Sequence, residues 1–221
     1  AKVSGNTANG DGSEGGGKGG GIYCGGTLTL NSGTIEKNGA REGGGIFMDT
    51  EATMTFYDGI VKENTAVNGG GVYNSREATL NLIKSAQIID NKCYNNYDGG
   101  MGGGIYQNGF LNVAGTELKV KDNQSVSLSN STPVVNNVFL PEDGNFITVV
   151  DWEDPDTHAT IQGLSGSEVW IGISVPTVPH AVVHSETPDD PGHIIDFYDE
   201  VGQAFPRLEV VGAGDAAGCN G

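Results

Sequence analysis

Apolar and polar residues alternate in short runs through the first half of the chain. Leu28-Thr29-Leu30, Met54-Thr55-Phe56, Leu80-Asn81-Leu82 and Leu111-Asn112-Val113 each have a period of two. That period sends one face of a strand inward and the other outward. A glycine-rich phrase precedes each run: residues 19–23 read GGGIY, 43–47 GGGIF, 69–73 GGGVY and 102–106 GGGIY. A third run follows, in which an aliphatic residue stands three places before an asparagine: Val3/Asn6, Ile35/Asn38, Val61/Asn64, Ile88/Asn91 and Val120/Asn123. From Asn38 onward the asparagines are 26, 27 and 32 residues apart. No helical stripe crosses this half, and glycine this dense disfavours helix. Three strand runs repeated at a period in the twenties predict the coils of a parallel β-helix, each coil burying its apolar face against the next.

That architecture predicts a sheet for each of the three runs and matched columns of side chains. Ile22, Ile46, Val72 and Ile105 form one inward stack, and Leu28, Met54, Leu80 and Leu111 another. The corners need residues that tolerate positive φ, and Asn38-Gly39, Asn68-Gly69 and Asn108-Gly109 suit them. The recurring Asn38, Asn64, Asn91 and Asn123 predict a ladder of side-chain amides bonded along the stack.

The alternation of GGGIY with aliphatic-x-x-Asn resembles the repeats of polymorphic outer-membrane proteins, where GGA[ILV] alternates with FxxN. It is still more similar to the GGGIY repeats of adhesin-like surface proteins of gut bacteria and methanogens. The likeness covers roughly residues 3–126, and residues 136–140 (NNVFL), 146–149 (FITV) and 170–174 (WIGIS) are similar to the region that ends such a β-helix. The resemblance implies a right-handed parallel β-helix in an extracellular, surface-attached setting, and it carries over no catalytic residue. Ile or Val stands here where the outer-membrane repeats have Phe, and the third interval is stretched by residues 92–97 (KCYNNY). Both departures point away from the outer-membrane family proper.

Beyond Asn123 the period fades. The expected division is parallel β-helix repeats over residues 1–136, then irregular terminal coils and an acidic β cap over 137–221. An independent small β domain is the alternative for residues 137–221. Strand-like runs continue at 138–140, 147–150, 160–161, 169–174, 181–183, 194–197 and 208–211, punctuated by prolines. An open solenoid end exposes unpaired backbone, so a cap is expected there.

Charge changes the picture on one point. The net charge is −17, and residues 141–221 hold 15 acidic side chains against one base, Arg207. Such a balance argues against nucleic acid and anionic membrane surfaces. It reads as a solubilising surface or as a calcium-binding segment. The latter would centre on Asp151, Glu153, Asp154 and Asp156, with Pro155 bending the run. No other cofactor is expected. Cys24, Cys93 and Cys219 match no zinc spacing and cannot all pair within one chain. No stretch reaches the ~18 apolar residues of a spanning helix, so membrane insertion by this segment is not expected.

Candidate chemistry is sparse. Residues 12–18 (GSEGGGK) approach a phosphate loop, but Gly19 stands where the magnesium-binding hydroxyl belongs and no helix follows. His180 and His184 in a strand lie about 13 Å apart, too far for one metal. The Thr27/Thr29 and Thr53/Thr55 pairs suggest an ice-binding array, which fails in the next repeats. A polysaccharide-active site needs paired carboxylates, yet the column Glu36, Lys62, Asp90, Lys121 is of mixed sign. If the preceding Ile or Val points inward, Tyr23, Phe47, Tyr73 and Tyr106 form an outward aromatic row that could bind sugar rings or a partner surface. The alternatives are rings folded over the neighbouring glycines or pointing inward.

These features favour a non-enzymatic extracellular or cell-surface β-helix with an adhesive or scaffolding role, its partner a glycan or a host or cell-surface component. An extracellular polysaccharide lyase or hydrolase on the same fold is the competing reading. A concave groove with clustered carboxylates beside a basic residue would favour the enzyme.

Overall fold

The alternating runs form strands that pair in parallel with their equivalents one repeat away. This computed structural model describes residues 1–10, 17–95, 101–127, 133–141, 145, 147–161, 173–174 and 183–185. They form an all-β protein with mostly parallel sheets, and no helix occurs among the described residues.

The glycine-rich phrases supply four strands of a six-stranded parallel sheet, Ile22–Cys24, Ile46–Met48, Val72–Asn74 and Ile105–Gln107, and Val138–Phe139 and Ile173–Ser174 extend it. The alternating run and the run before the asparagine were expected to form separate sheets. They share one nine-stranded sheet instead. In two repeats they are a single ten-residue strand, Thr27–Glu36 and Thr53–Lys62. In the next repeat Lys84 takes a φ of 58° and splits that strand into Thr79–Ile83 and Gln87–Ile89. The remaining sheet follows the asparagine: Thr65–Ala66, Lys92–Asn95 and Gln124–Ser127 pair in parallel, and Pro133–Val135 joins antiparallel. These segments lack apolar alternation, so the sequence pattern did not reveal them.

Register puts the aliphatic residues in columns. Leu28, Met54, Leu80, Leu111 and Ile147 are paired in succession, as are Ile22, Ile46, Val72, Ile105 and Val138. All belong to one apolar core. Each fully buried aliphatic side chain contributes roughly 1.5–3 kcal/mol.

The three glycines of each phrase answer different constraints. Gly43 has a φ of 63°. A Cβ on Gly44 would lie 2.4 Å from the Thr65 carbonyl oxygen and 2.5 Å from that of Gly70, in the neighbouring repeat. A Cβ on Gly45 would lie 2.7 Å from the Gly71 oxygen and 3.0 Å from the Asn64 amide. Of the Asn-Gly corners, only Gly69 has positive φ. The recurrent left-handed position is the residue before each ladder asparagine: Gly5, Lys37, Glu63, Asp90 and Asp122, with φ of 72°, 55°, 53°, 55° and 57°. Four of the five are charged, a conformation that costs a non-glycine residue roughly 1–2 kcal/mol. The repeat holds it because the next asparagine must enter the ladder.

Beyond residue 136 the described strands Val138–Phe139, Ile147–Val149, Ile173–Ser174 and Val183–Ser185 extend the same two large sheets. The boundary at 136/137 therefore interrupts neither. The exception is an antiparallel hairpin, Trp152–Glu153 with Thr160–Ile161. Its Trp152 and Ile161 pack on a second cluster formed by Tyr57, Ile83, Ala114 and Val150. The expected strands at 194–197 and 208–211 lie outside the described residues.

Candidate functional site

The asparagine ladder runs from Asn6 through Asn38, Asn64, Asn91 and Asn123 to Asn137. The backbone N–H and side-chain amide of each donate to the Oδ1 of the next, at 2.9–3.1 Å. The second amide hydrogen goes to a strand carbonyl, as from Asn64 to Ile35 at 3.0 Å. Asn38, Asn64, Asn91 and Asn123 are buried and meet their needs within the stack. Asn137 joins only 14 residues after Asn123, off the period. The adjacent Val138-Phe139, which echoes the Ile-Tyr phrase, was the available signal.

The aromatic row exists and is longer than expected. Tyr23, Phe47, Tyr73 and Tyr106 stack at centroid spacings of 5.3, 5.3 and 4.5 Å, and Phe139 follows at 5.6 Å. Within the row ring faces meet ring faces, so Phe47, Tyr73 and Tyr106 have a ring on both sides, while the terminal Tyr23 has one on one side. Phe47 is 1% exposed, with the Lys18 ammonium 4.5 Å from its centroid, whereas Tyr23 at the row's end is 53% exposed. Lys18 also pairs with Glu42 at 3.7 Å, so the lysine of the phosphate-loop-like phrase faces its own fold. The Tyr23 hydroxyl donates to Asp49. That bond is the main cause holding the Asp49 carboxyl below its usual range and raising the Tyr23 phenol. Burial raises the Tyr73 phenol.

The acidic run does not converge on a metal site. Asp154 turns inward: its carboxylate lies 2.7 Å from Lys84 Nζ and accepts the N–H groups of Asp156 and Thr157 at 3.0 Å. The Lys84 bond, then these N–H donors, hold its carboxyl well below the usual range. Glu153 points to solvent and meets His158 Nδ1 at 2.8 Å, while Asp151 and Asp156 are exposed. No group of three or more His, Cys, Asp or Glu side chains able to hold a metal occurs among the described residues. The calcium cluster expected at Asp151, Glu153, Asp154 and Asp156 is thus not assembled, because the bend at Pro155 directs Asp154 to Lys84 and its neighbours outward. Cys24 and Cys93 are buried free thiols; Cys219, His180 and His193 lie outside the described residues.

The mixed-charge column is corrected by register: Lys62 aligns with Ile89 and Lys121, not with Asp90. Asp90 belongs to the left-handed column with Glu63 and Asp122. Those three residues, Lys92 and Tyr94 line a groove of about 390 Å³. Glu63 lies 3.5 Å from both Lys37 and Lys62, and Asp122 lies 3.3 Å from Lys121. A larger cleft, about 570 Å³, opens between the hairpin and the strand corners, lined by Asp58, Lys84, Ser85, Thr116, Glu117, Thr160 and Ile161. Asp58 there accepts the Ser85 hydroxyl at 2.8 Å. No protein-family model, curated protein or solved structure matches this chain.

Proposed function

We infer that the chain is a right-handed parallel β-helix segment of a cell-surface protein, acting as a rigid adhesive or scaffolding element. The assignment of successive repeats to the same parallel sheets supports the β-helix, and the strong right-handed preference of parallel crossovers supports its hand. The observation that carries the functional reading is the pair of side-chain ladders, asparagine and aromatic, which run through every repeat. They engage the recurrent polar and aromatic side chains with one another, which suits a stiff column whose outer surface presents binding groups. The test is binding of the purified chain to intact cells and to a glycan array. Retention without release of products is the expected result.

One observation favours the enzymatic reading: the groove that brings Glu63, Asp90 and Asp122 beside Lys92 and Tyr94. Strands that neighbour in a sheet lie about 4.8 Å apart, a spacing that can bring carboxylates of successive repeats into the ~5–5.5 Å range of a retaining hydrolase pair. The lysines already paired with Glu63 and Asp122 weigh against it. New reducing ends or unsaturated products from a polysaccharide, lost on Asp90→Asn, would establish the enzyme and overturn the adhesive reading.

A further inference from the structure

We propose that the cleft between the 151–161 hairpin and the strand corners is a binding site for a neutral oligosaccharide. The proposal rests on the surface-binding reading above and assigns the binding to one place, away from the aromatic row. Its volume, about 570 Å³, is within the roughly 300–1,000 Å³ of small-molecule sites.

One wall is built by the repeats. Asp58 lies within the strand Thr53–Lys62, and Lys84 with Ser85 and Thr116 with Glu117 come from the turns that interrupt the equivalent strand in the next two repeats. The other wall is the hairpin, which contributes Thr160 and Ile161. The hairpin is where the chain leaves its repeat pattern, and insertions in solenoids gather on the binding face. It is also pinned. Lys84 holds Asp154 at 2.7 Å, the Trp152 indole donates to the Tyr57 hydroxyl at 3.3 Å, and Ile161 packs on the second apolar cluster. A wall already in place lowers the ordering cost of binding.

The lining selects the ligand class. Thr116 and Thr160 supply hydroxyls that donate and accept, Ser85, whose hydroxyl donates to Asp58, supplies an acceptor, and Asp58 and Glu117 supply carboxylate acceptors. Sugar hydroxyls match that set. An acidic sugar or a phosphate meets two carboxylates, while the one ammonium among the described lining residues, Lys84, is already answered by Asp154. An apolar ligand finds only Ile161 among the described lining side chains.

The test titrates the full 221-residue chain with neutral tetrasaccharides of glucose, mannose, galactose and N-acetylglucosamine, and with tetragalacturonate. At least one neutral probe is expected to bind, and tetragalacturonate at least ten-fold more weakly. Glu117→Gln should weaken the neutral probe about ten-fold. Thr116→Trp, at an exposed corner that can carry the ring, should abolish binding with an unchanged melt. Tyr23→Ala should leave it intact. Absence of neutral binding at millimolar concentration, equal binding of tetragalacturonate, or indifference to both cleft variants would overturn the proposal. If Thr116→Trp still binds cells as the unaltered chain does, the cleft is wrong and the adhesive reading stands. If the unaltered chain binds neither cells nor glycans, that reading falls as well.

Discussion

Asn64 shows what a single ladder position does. Its Oδ1 accepts two bonds from Asn38, and its amide donates to Ile35 and Asn91, all at 3.0 Å. Replacing it with Leu leaves the Asn38 N–H, one Asn38 amide hydrogen and the Ile35 carbonyl without that partner in a buried column. At roughly 1–3 kcal/mol for each buried orphan, partly relaxed, Asn64→Leu is expected to cost about 3–5 kcal/mol. A urea titration measures it, and an unmoved midpoint would mean that the amides bond to water instead. The ladder was legible in the sequence because each asparagine follows an aliphatic residue at a fixed offset. The left-handed residue before it was not. Lys37, Glu63, Asp90 and Asp122 share no type that marks positive φ, and only Gly5 carries the usual signature. Their conformation is imposed by the closure of the repeat, a constraint that acts through neighbouring strands and not through the residue's own preference.

At the level of the element, the glycine phrase is a spacing device. Gly44 has backbone oxygens from the next repeat at 2.4 and 2.5 Å from where its Cβ would sit, whereas a Cβ on Gly39 would meet nothing nearer than 3.4 Å. Gly44→Ala must therefore push neighbouring repeats apart and is expected to abolish the cooperative melt, while Gly39→Ala shifts it by less than about 1 kcal/mol. Comparable melts for the two would deny the close approach. The strand Lys92–Asn95 offers a second check. Burial pushes the Cys93 thiol up to about 12 from 9.0. The folded state thus binds this proton more tightly than the unfolded chain. The resulting stability is complete below pH 9.0 and is lost as pH rises toward 12, at up to about 1.4 kcal/mol per pH unit from this one group. The expected result is slow thiol labelling at neutral pH, and an alkaline loss of stability that is shallower in Cys93→Ala. Period-two alternation made the two large sheets readable. The sheet containing Cys93 was invisible, because Thr65-Ala66 and Lys92-Cys93 carry no such pattern and gain strand geometry only from the repeats on either side.

For the molecule as a whole, what escaped the sequence is the contact between distant segments. Trp152 meets Tyr57 across 95 positions, and nothing in either neighbourhood marks the pair. The acidic run was legible as composition, but its geometry was not. Asp154 answers Lys84, a residue held in the left-handed corner of a different repeat. The same ion pair fixes one wall of the proposed cleft, so the hairpin should be the region of the fold most sensitive to it. Lys84→Met leaves a carboxylate of a residue only 6% exposed without its ammonium, which favours release of the hairpin into water. Asp154→Asn removes the charge and keeps acceptance of the Asp156 and Thr157 N–H groups, so its effect should be milder. Limited proteolysis at neutral pH is expected to cut Lys84→Met within residues 151–161 well before the unaltered chain, with Asp154→Asn between them and the repeats resistant in all three. The pH dependence has a definite sign. Because Asp154's carboxyl is held below its usual 3.8, the pairing is complete above that value and is lost only as pH falls through the lowered one. The unaltered hairpin should therefore still resist pepsin at a pH where ordinary carboxylates are protonated, and Lys84→Met should not. Equal resistance of the two would show that Trp152 and Ile161 hold the hairpin by packing alone, leaving the ion pair a bystander at the cleft's edge.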